Sequence, residues 1–272
     1  MYTENCLIIS VLRRVAKANV IALAAVIFLA LASSVPAPAA NLVMNGGFET
    51  TIPANSTNFF LGYAGYPQLA NWVYGSAPYP NAAVYTYAGA NGTGACRPGG
   101  CFPLYGPGNG FNNGFVDSPD GGNFLASDGE AEYSGTITQT ISGLTAGHQY
   151  TLSFDWAGNQ YLDSSSIGYT GPLTVDWQVS LGAQTFTTPV ANYSGHGFTG
   201  WMTQTFTYTA TSSSEVLTFL AQGTPNGLPP VALLDGVTLN ATTPEPGTIT
   251  LMATGLIGGV GALRRYRLKK RS

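Results

Sequence analysis

From Gly135 to Leu239 the chain alternates apolar and polar residues with a period of two, and this pattern constrains the fold more than any other feature. Ile137, Gln139 and Ile141 fall on one side, with Thr136, Thr138 and Thr140 on the other. Tyr150, Leu152, Phe154 and Trp156 alternate with Thr151, Ser153 and Asp155. Leu173, Val175, Trp177, Val179 and Leu181 alternate with Thr, Asp, Gln and Ser. Further strands are predicted over Met202–Tyr208, Val216–Ala221 and Val231–Leu239. Successive side chains of a strand point to opposite faces, so each segment presents one apolar and one polar face. The body contains no helical window. Strands of this kind, separated by turns such as Gly143-Leu144-Thr145-Ala146-Gly147, predict an all-β protein, an antiparallel β-sandwich of jelly-roll type.

The half of the body before Gly135 is less regular. Leu42 and Met44 alternate with their neighbours and predict a short first strand, ended by the turn residues Asn45-Gly46-Gly47. Phe48 is then expected to plug the core while Glu49 projects to the other side. Residues 53–123 are dense in Gly, Pro, Asn and Tyr. Their aromatic content argues against disorder, so they are expected to form long ordered loops with short strands near Asn71–Tyr74 and Ala83–Tyr87. Asp120-Gly121-Gly122-Asn123 reads as a tight turn, followed by a short buried strand over Phe124–Ala126.

Charge divides the chain into three parts. Arg13, Arg14 and Lys17 precede the apolar run Val20–Ala32 and the small residues Ala37-Pro38-Ala39. This is the layout of a secretory signal peptide cut by signal peptidase, assigned to residues 1–39. The body is residues 40–243. Between residues 41 and 246 there are 12 acidic residues against one base, Arg97, a net charge of −11 that the whole-chain value of −3 conceals. Such a surface excludes nucleic acid as a partner held by phosphate neutralisation. It suits calcium or uncharged ligands. Cys6 leaves with the signal, and the remaining pair, Cys96 and Cys101, reads in an exported protein as a small-loop disulfide, with free thiols or a metal site as the alternatives.

The last part is residues 244–272. Pro244-Glu245-Pro246 precedes the uncharged run 247–263, and Arg264-Arg265-Tyr266-Arg267 and Lys269-Lys270-Arg271 follow it. The run is about as long as the shortest transmembrane helices, and its basic end should stay cytoplasmic. This order of motif, apolar helix and basic cluster resembles the sorting signal of PEP-CTERM proteins. The resemblance implies recognition of Pro244, Glu245 and Pro246 by an exosortase, a membrane transpeptidase. It also implies transient anchoring in the inner membrane by the C-terminal helix, then release to the cell envelope or exterior. A plain C-terminal membrane anchor is the alternative.

The body carries resemblances of its own. The segment NGGFE over residues 45–49 resembles the opening of galactose-binding-like β-sandwich modules, among them several carbohydrate-binding families. LLDGVTL, ending at Leu239, resembles their closing strand, and PDGGNFLASD and GTITQTISGLTAGHQYTLSFDWAG resemble the middle of many PEP-CTERM sandwich proteins. In such modules the opening segment and a late Asp often share a structural calcium ion. The resemblance therefore implies Ca2+ held by Glu49 and Asp235, with backbone carbonyls around Asn45–Gly47 completing an oxygen shell. A second acid usual in the closing strand is Gly236 here.

Signs of catalysis are few. His148 reads as a solvated turn residue and His196 as an exposed loop residue without a partner, and no Gly-x-Ser-x-Gly elbow occurs. Asp155 and Asp176 could form a glycosidase pair but read as solvent-face strand residues. Asp128, Glu130 and Glu132, spaced i, i+2, i+4, read as a hydrated strand edge, with a calcium-binding edge as the alternative. Tyr and Trp of the loops could form a platform for sugar rings or pack onto the sandwich. The expectation is thus an exported, non-catalytic surface or extracellular-matrix protein associated with exopolysaccharide, with carbohydrate as its candidate ligand. A secreted glycan hydrolase and a purely structural envelope protein without ligand are the alternatives.

Overall fold

A computed structural model of the chain describes residues 40–75, 81–97 and 100–242, with Gly255 and Gly259 beyond them. The signal-peptide segment 1–39, the Pro244-Glu245-Pro246 motif, the apolar run and the basic tail lie outside the described residues. Among the described residues no helix is long and apolar enough to cross a membrane. Residues 40–242 form one compact unit.

The strands with strict alternation form as expected. They are β9 (Ile137–Ser142), β10 (Gln149–Gln160), β11 (Pro172–Leu181), β14 (Met202–Thr209), β15 (Ser214–Thr224) and β16 (Pro230–Ala241). Shorter strands complete the sheets: β1 (Thr51–Ile52), β2 (Phe59–Phe60), β3 (Gln68–Leu69), β4 (Val73–Tyr74), β5 (Ala82–Thr86), β6 (Ala95–Arg97), β7 (Gly100–Phe102), β8 (Asn123–Asp128), β12 (Gln184–Thr187) and β13 (Ala191–Ser194). One helical turn, α1 (Tyr87–Ala90), follows β5. Eight strands make one sheet in the order β14-β10-β16-β8-β5-β2-β6-β7, and five make the other in the order β12-β11-β15-β9-β4, with β13 paired to β11 as its sixth member. All pairings in these sheets are antiparallel except β2 with β6. The turn joining β11 to β12 is the residue pair Gly182–Ala183, and Gly182 takes φ 56°, a conformation that favours glycine.

The main core lies between the two sheets. Leu152, Phe154 and Trp156 of β10 and Leu234, Val237 and Leu239 of β16 meet Val175, Trp177 and Val179 of β11 and Leu217 and Phe219 of β15. Trp177 is fully buried and its Nε1–H donates to Leu233 O at 3.1 Å. Burying each large apolar side chain of this kind contributes about 1.5–3 kcal/mol. A second apolar cluster covers the outer face of the larger sheet. Phe124 and Ala126 of β8, Tyr85 of β5 and Val231 and Leu233 of β16 pack there against Tyr105, Phe115 and Tyr161. Strand β8 is therefore buried on both faces, and every one of its residues is inaccessible.

Several expectations are corrected. Leu42–Met44 form no strand. The segment runs beside β16, with Leu42 N–H donating to Leu239 O at 2.9 Å, and then turns at Asn45 (φ 55°) and Phe48 (φ 58°). Phe48 does plug the core, fully buried. Of the loop aromatics, Trp72, Tyr85 and Tyr105 are buried, so these three pack and offer no platform. Tyr63, Tyr66, Tyr74 and Tyr87 are half-buried. His196 is also not the free loop residue expected. Its ring stacks on Tyr105 at 4.2 Å and its Nε2 lies 2.9 Å from Ser166 O. Cys96 and Cys101 are joined in a disulfide across the β6–β7 hairpin.

Candidate functional site

Two acidic regions emerge, one at each of two places where carboxylates are buried. The first joins the ends of the compact unit. The turn at Asn45–Phe48 is pinned by its own side chain: Asn45 Oδ1 accepts Thr50 N–H at 2.8 Å, and its amide donates to Thr50 O and Ala70 O. Val237 N–H donates to Gly46 O at 3.0 Å, which ties the turn to β16. Glu49 then reaches the Asp120–Asn123 turn, where its Oε1 accepts Asn123 N–H at 2.5 Å. A β-carbon on Gly47 would lie 2.6 Å from Asp120 Oδ2 and 3.8 Å from Asp235 Oδ1, so both carboxylates crowd this turn.

Asp235 is the buried member of the group. It is wholly inaccessible; its Oδ1 accepts Gly236 N–H at 2.8 Å, and its Oδ2 has no hydrogen-bond partner. Burial pushes its carboxyl up to about 8, the Ser118 hydroxyl and Gly236 N–H act against this, and the charges of Asp120 and Glu49 raise it further. A buried carboxylate oxygen without a partner, close to two further acids, is a donor set that suits a hard cation. Glu49 and Asp235, singled out in the sequence, are thus brought into one electrostatic neighbourhood. Asp120 joins them. The sequence marked it only as a turn residue, and nothing local distinguishes it, because it meets the others through tertiary folding. Among the described residues no three His, Cys, Asp or Glu side chains converge to form a metal shell by themselves. A cation here would draw remaining ligands from carbonyls and water. Of the expected carbonyls, Asn45 O already accepts Trp72 Nε1–H at 2.9 Å and Gly46 O accepts Val237 N–H.

Gly236 occupies a position at which an acid would be disfavoured. It takes φ 59° next to a register shift in the β10–β16 pairing, and a β-carbon there would sit 3.4 Å from Asp155 Oδ2 and 3.5 Å from Asp120 Cβ. An acid at this position would combine left-handed strain with like-charge repulsion.

The second region is a cavity of about 300 Å³ at the margin of the outer apolar cluster, lined in part by Asp128, Glu130, Asp163, Phe102, Tyr133 and Tyr161. Asp128 and Glu130 were expected on a hydrated edge. That reading is corrected: β8 lies between β16 and β5, and the two residues are 1% and 3% exposed. Strand β8 ends at Asp128, so Glu130 lies in the following turn, while Glu132 is exposed. Asp128 Oδ1 accepts Glu130 N–H at 2.9 Å, and Glu130 Oε1 accepts Leu228 N–H at 2.9 Å. Burial pushes the Asp128 carboxyl up to about 8, opposed by the Glu130 N–H and raised further by the Glu130 charge. Burial likewise raises Glu130, against the N–H groups of Gly227 and Leu228.

The other carboxylate pair considered does not converge. Asp155 sits on β10 between the core residues Phe154 and Trp156, and Asp176 sits on β11 between Val175 and Trp177. The two therefore face away from the core on different sheets. Asp155 accepts the Thr203 hydroxyl at 2.6 Å, and burial raises the Asp176 carboxyl. His148 is exposed, as expected.

No curated protein matches the sequence. Among solved structures, the chain is similar to TmCBM61 in complex with beta-1,4-galactotriose, at 14% identity over 75% of this chain and 99% of that one, with a TM-score of 0.39. It is similar to CBM4 at 16% identity, over 74% of this chain and 99% of that one, with a TM-score of 0.33. It is also similar to the enzymatically active domain of bacteriophage CBA120 tailspike protein 4, at 13% identity over 74% of this chain and 21% of that one, with a TM-score of 0.35. At the C-terminal end, residues 242–265 match the family model of the PEP-CTERM protein-sorting motif, so the β-sandwich is followed directly by a sorting signal of that family.

Proposed function

We propose that the protein is exported, is processed at Pro244-Glu245-Pro246 by an exosortase-type transpeptidase, and acts at the envelope or outside the cell as a non-catalytic protein that binds carbohydrate of the exopolysaccharide matrix. The observation that carries this reading is the sorting motif at residues 242–265, which begins where β16 ends. A signal of that kind directs the sandwich out of the cytoplasm, to the side of the membrane on which exopolysaccharide lies. An acidic body with a single base, Arg97, fits a neutral or cationic ligand better than an anionic one.

In this reading Glu49 and Asp235, with backbone carbonyls and water completing the shell and Asp120 adding negative charge nearby, hold a structural calcium ion that ties the opening turn to the closing strand. Calcium would supply positive charge to the partnerless Asp235 Oδ2 and favour the ionised carboxyl. Ligand binding to the native state alone then adds stability by linkage.

The experiment is binding of the exported protein to polysaccharide purified from its own host, read by affinity electrophoresis, with release of reducing ends measured in the same samples. Retardation without new reducing ends is the expected result. Absence of retardation overturns the binding role. New reducing ends would favour the hydrolase reading, for which Asp128 and Glu130 supply a carboxyl pair in one cavity.

A further inference from the structure

The cavity at Asp128 and Glu130 has the chemistry of a site for a positively charged ligand. We propose that it binds one residue of an amino sugar bearing a free, protonated amine; this rests on the carbohydrate-binding reading above and gives that reading a site and a ligand class.

Size is the first argument. A volume of about 300 Å³ is at the small end of ligand sites and takes a single sugar ring. It is far larger than a bare ion, and among the described residues no three acidic, His or Cys side chains converge as a metal shell requires. The carboxylates are spread around the space rather than gathered at a point.

Charge is the second. Asp128, Glu130 and Asp163 all line the cavity, and none of its described lining residues is a cation. The donors they have are uncharged. Asp128 and Glu130 accept backbone N–H groups, and Asp163 Oδ1 accepts the Ser165 N–H at 2.9 Å and the Ser165 hydroxyl at 2.6 Å. Buried carboxylates without a counter-charge are costly, and a single ammonium group placed among them offsets that cost. The upward push on Asp128 and Glu130 comes first from burial, and a bound cation would reverse it.

The walls are the third. Phe102, Tyr133 and Tyr161 bring aromatic surface to the same cavity, which suits both a sugar ring and a cation. Tyr161 is 1% exposed, and its hydroxyl lies against that of Tyr85. Phe102 ends β7, so the Cys96–Cys101 disulfide fixes the hairpin that delivers this wall. An amine-free sugar would pack on these rings but leave the carboxylates without a counter-charge. An amino sugar satisfies both.

The test is calorimetric titration of the full-length chain, held in mild detergent, with the fully deacetylated glucosamine trimer and with its N-acetylated counterpart. The deacetylated trimer should bind at least tenfold more tightly, because acetylation removes the charge. Glu130→Gln, which keeps the acceptor for Leu228 N–H, should remove most of that preference, and Asp163→Asn should reduce it if the Glu130 variant does not fold. Equal affinity for the two trimers overturns the proposal, as does a preference unchanged in both variants. Binding of host polysaccharide together with no binding of the deacetylated trimer also overturns it, while leaving the carbohydrate reading in place. Loss of every glycan interaction overturns both.

Discussion

Replacing Asp235 with Asn should stabilise the protein in chelator and destabilise it in calcium, with the two effects separated by pH. The Asp235 carboxyl is buried, and its pKa moves from 3.8 to about 8. A raised carboxyl pKa means that the folded state holds its proton more tightly than the unfolded chain. The associated stability is therefore complete below pH 4 and is lost as pH rises towards 8. At about 1.36 kcal/mol per tenfold change in proton affinity, the loss is on the order of 5 kcal/mol. For a chain of this size that corresponds to a fall in melting temperature of roughly 10–20 °C. Asn keeps an acceptor for Gly236 N–H but carries no proton to lose. In chelator the wild-type and Asp235→Asn proteins should melt alike at or below pH 4, and the variant should melt higher near pH 8. Asp128, raised into the same range, contributes its own slope to both proteins, so their difference isolates Asp235. With millimolar calcium the order should invert near pH 8, since only the wild type gains from the ion. Scanning calorimetry at pH 4 and 8, with calcium and with chelator, gives all eight values needed. A variant that melts below wild type in chelator at pH 8 would refute the burial argument. Wild-type melting that ignores calcium at pH 8 would remove the ion.

Other outcomes are expected. Intact-mass measurement on protein from the native host should find a chain that begins near Ala40 or Asn41 and ends near the Pro244-Glu245-Pro246 motif; a retained basic tail would support a plain anchor instead. Thiol labelling of the unfolded, unreduced mature protein should find no free cysteine, and removing the Cys96–Cys101 link should cost about 2 kcal/mol in denaturant titration. Trp177→Ala empties the centre of the sandwich and should cost about 3–5 kcal/mol in the same titration; a cost below 1 kcal/mol would contradict the packing. Gly236→Ala should lower stability by about 1–2 kcal/mol through left-handed strain alone, since its nearest non-local atoms lie at ordinary contact distance.

Strands β9, β10, β11, β14, β15 and β16 were legible because each has one face on a shared core and the other towards solvent or outer loops, whereas the short strands β12 and β13 were not. Alternation records that asymmetry directly, as in Leu173 to Leu181. The signal fails where a strand is covered on both sides. Phe124–Ala126 reads as a short buried strand and is one, but the Asn, Ser and Asp that flank it are buried too, and no periodicity announces their burial. Asp128 and Glu130 were misjudged for this reason. The i, i+2, i+4 rule assumes that the strand continues and that one face is wet. Here the strand ends at Asp128, and the cover comes from residues far away in sequence, among them Phe102 and Pro229.

The same reasoning separates the two acidic regions. At the first, Glu49 and Asp235 could be named in advance because they lie in short segments that resemble known modules, whereas Asp120 could not, since its turn is ordinary and only its position beside Gly47 gives it a role. At the second, no local motif exists, and the site arises from the packing of three separated segments. The end of β8 and the turn after it supply Asp128 and Glu130, the segment after β10 supplies Tyr161 and Asp163, and the disulfide hairpin supplies Phe102. A cleft assembled in this way depends on the loop-rich half between residues 53 and 123, which the sequence marked as ordered but left without architecture. Its aromatic residues split into two uses. Tyr85 and Tyr105 seal the outer face of the larger sheet, and the hairpin held by that seal closes one wall of the cavity. Core packing and ligand chemistry are therefore coupled in this half of the molecule: a change that loosens the outer cluster should weaken binding in the cavity even where it touches no lining residue.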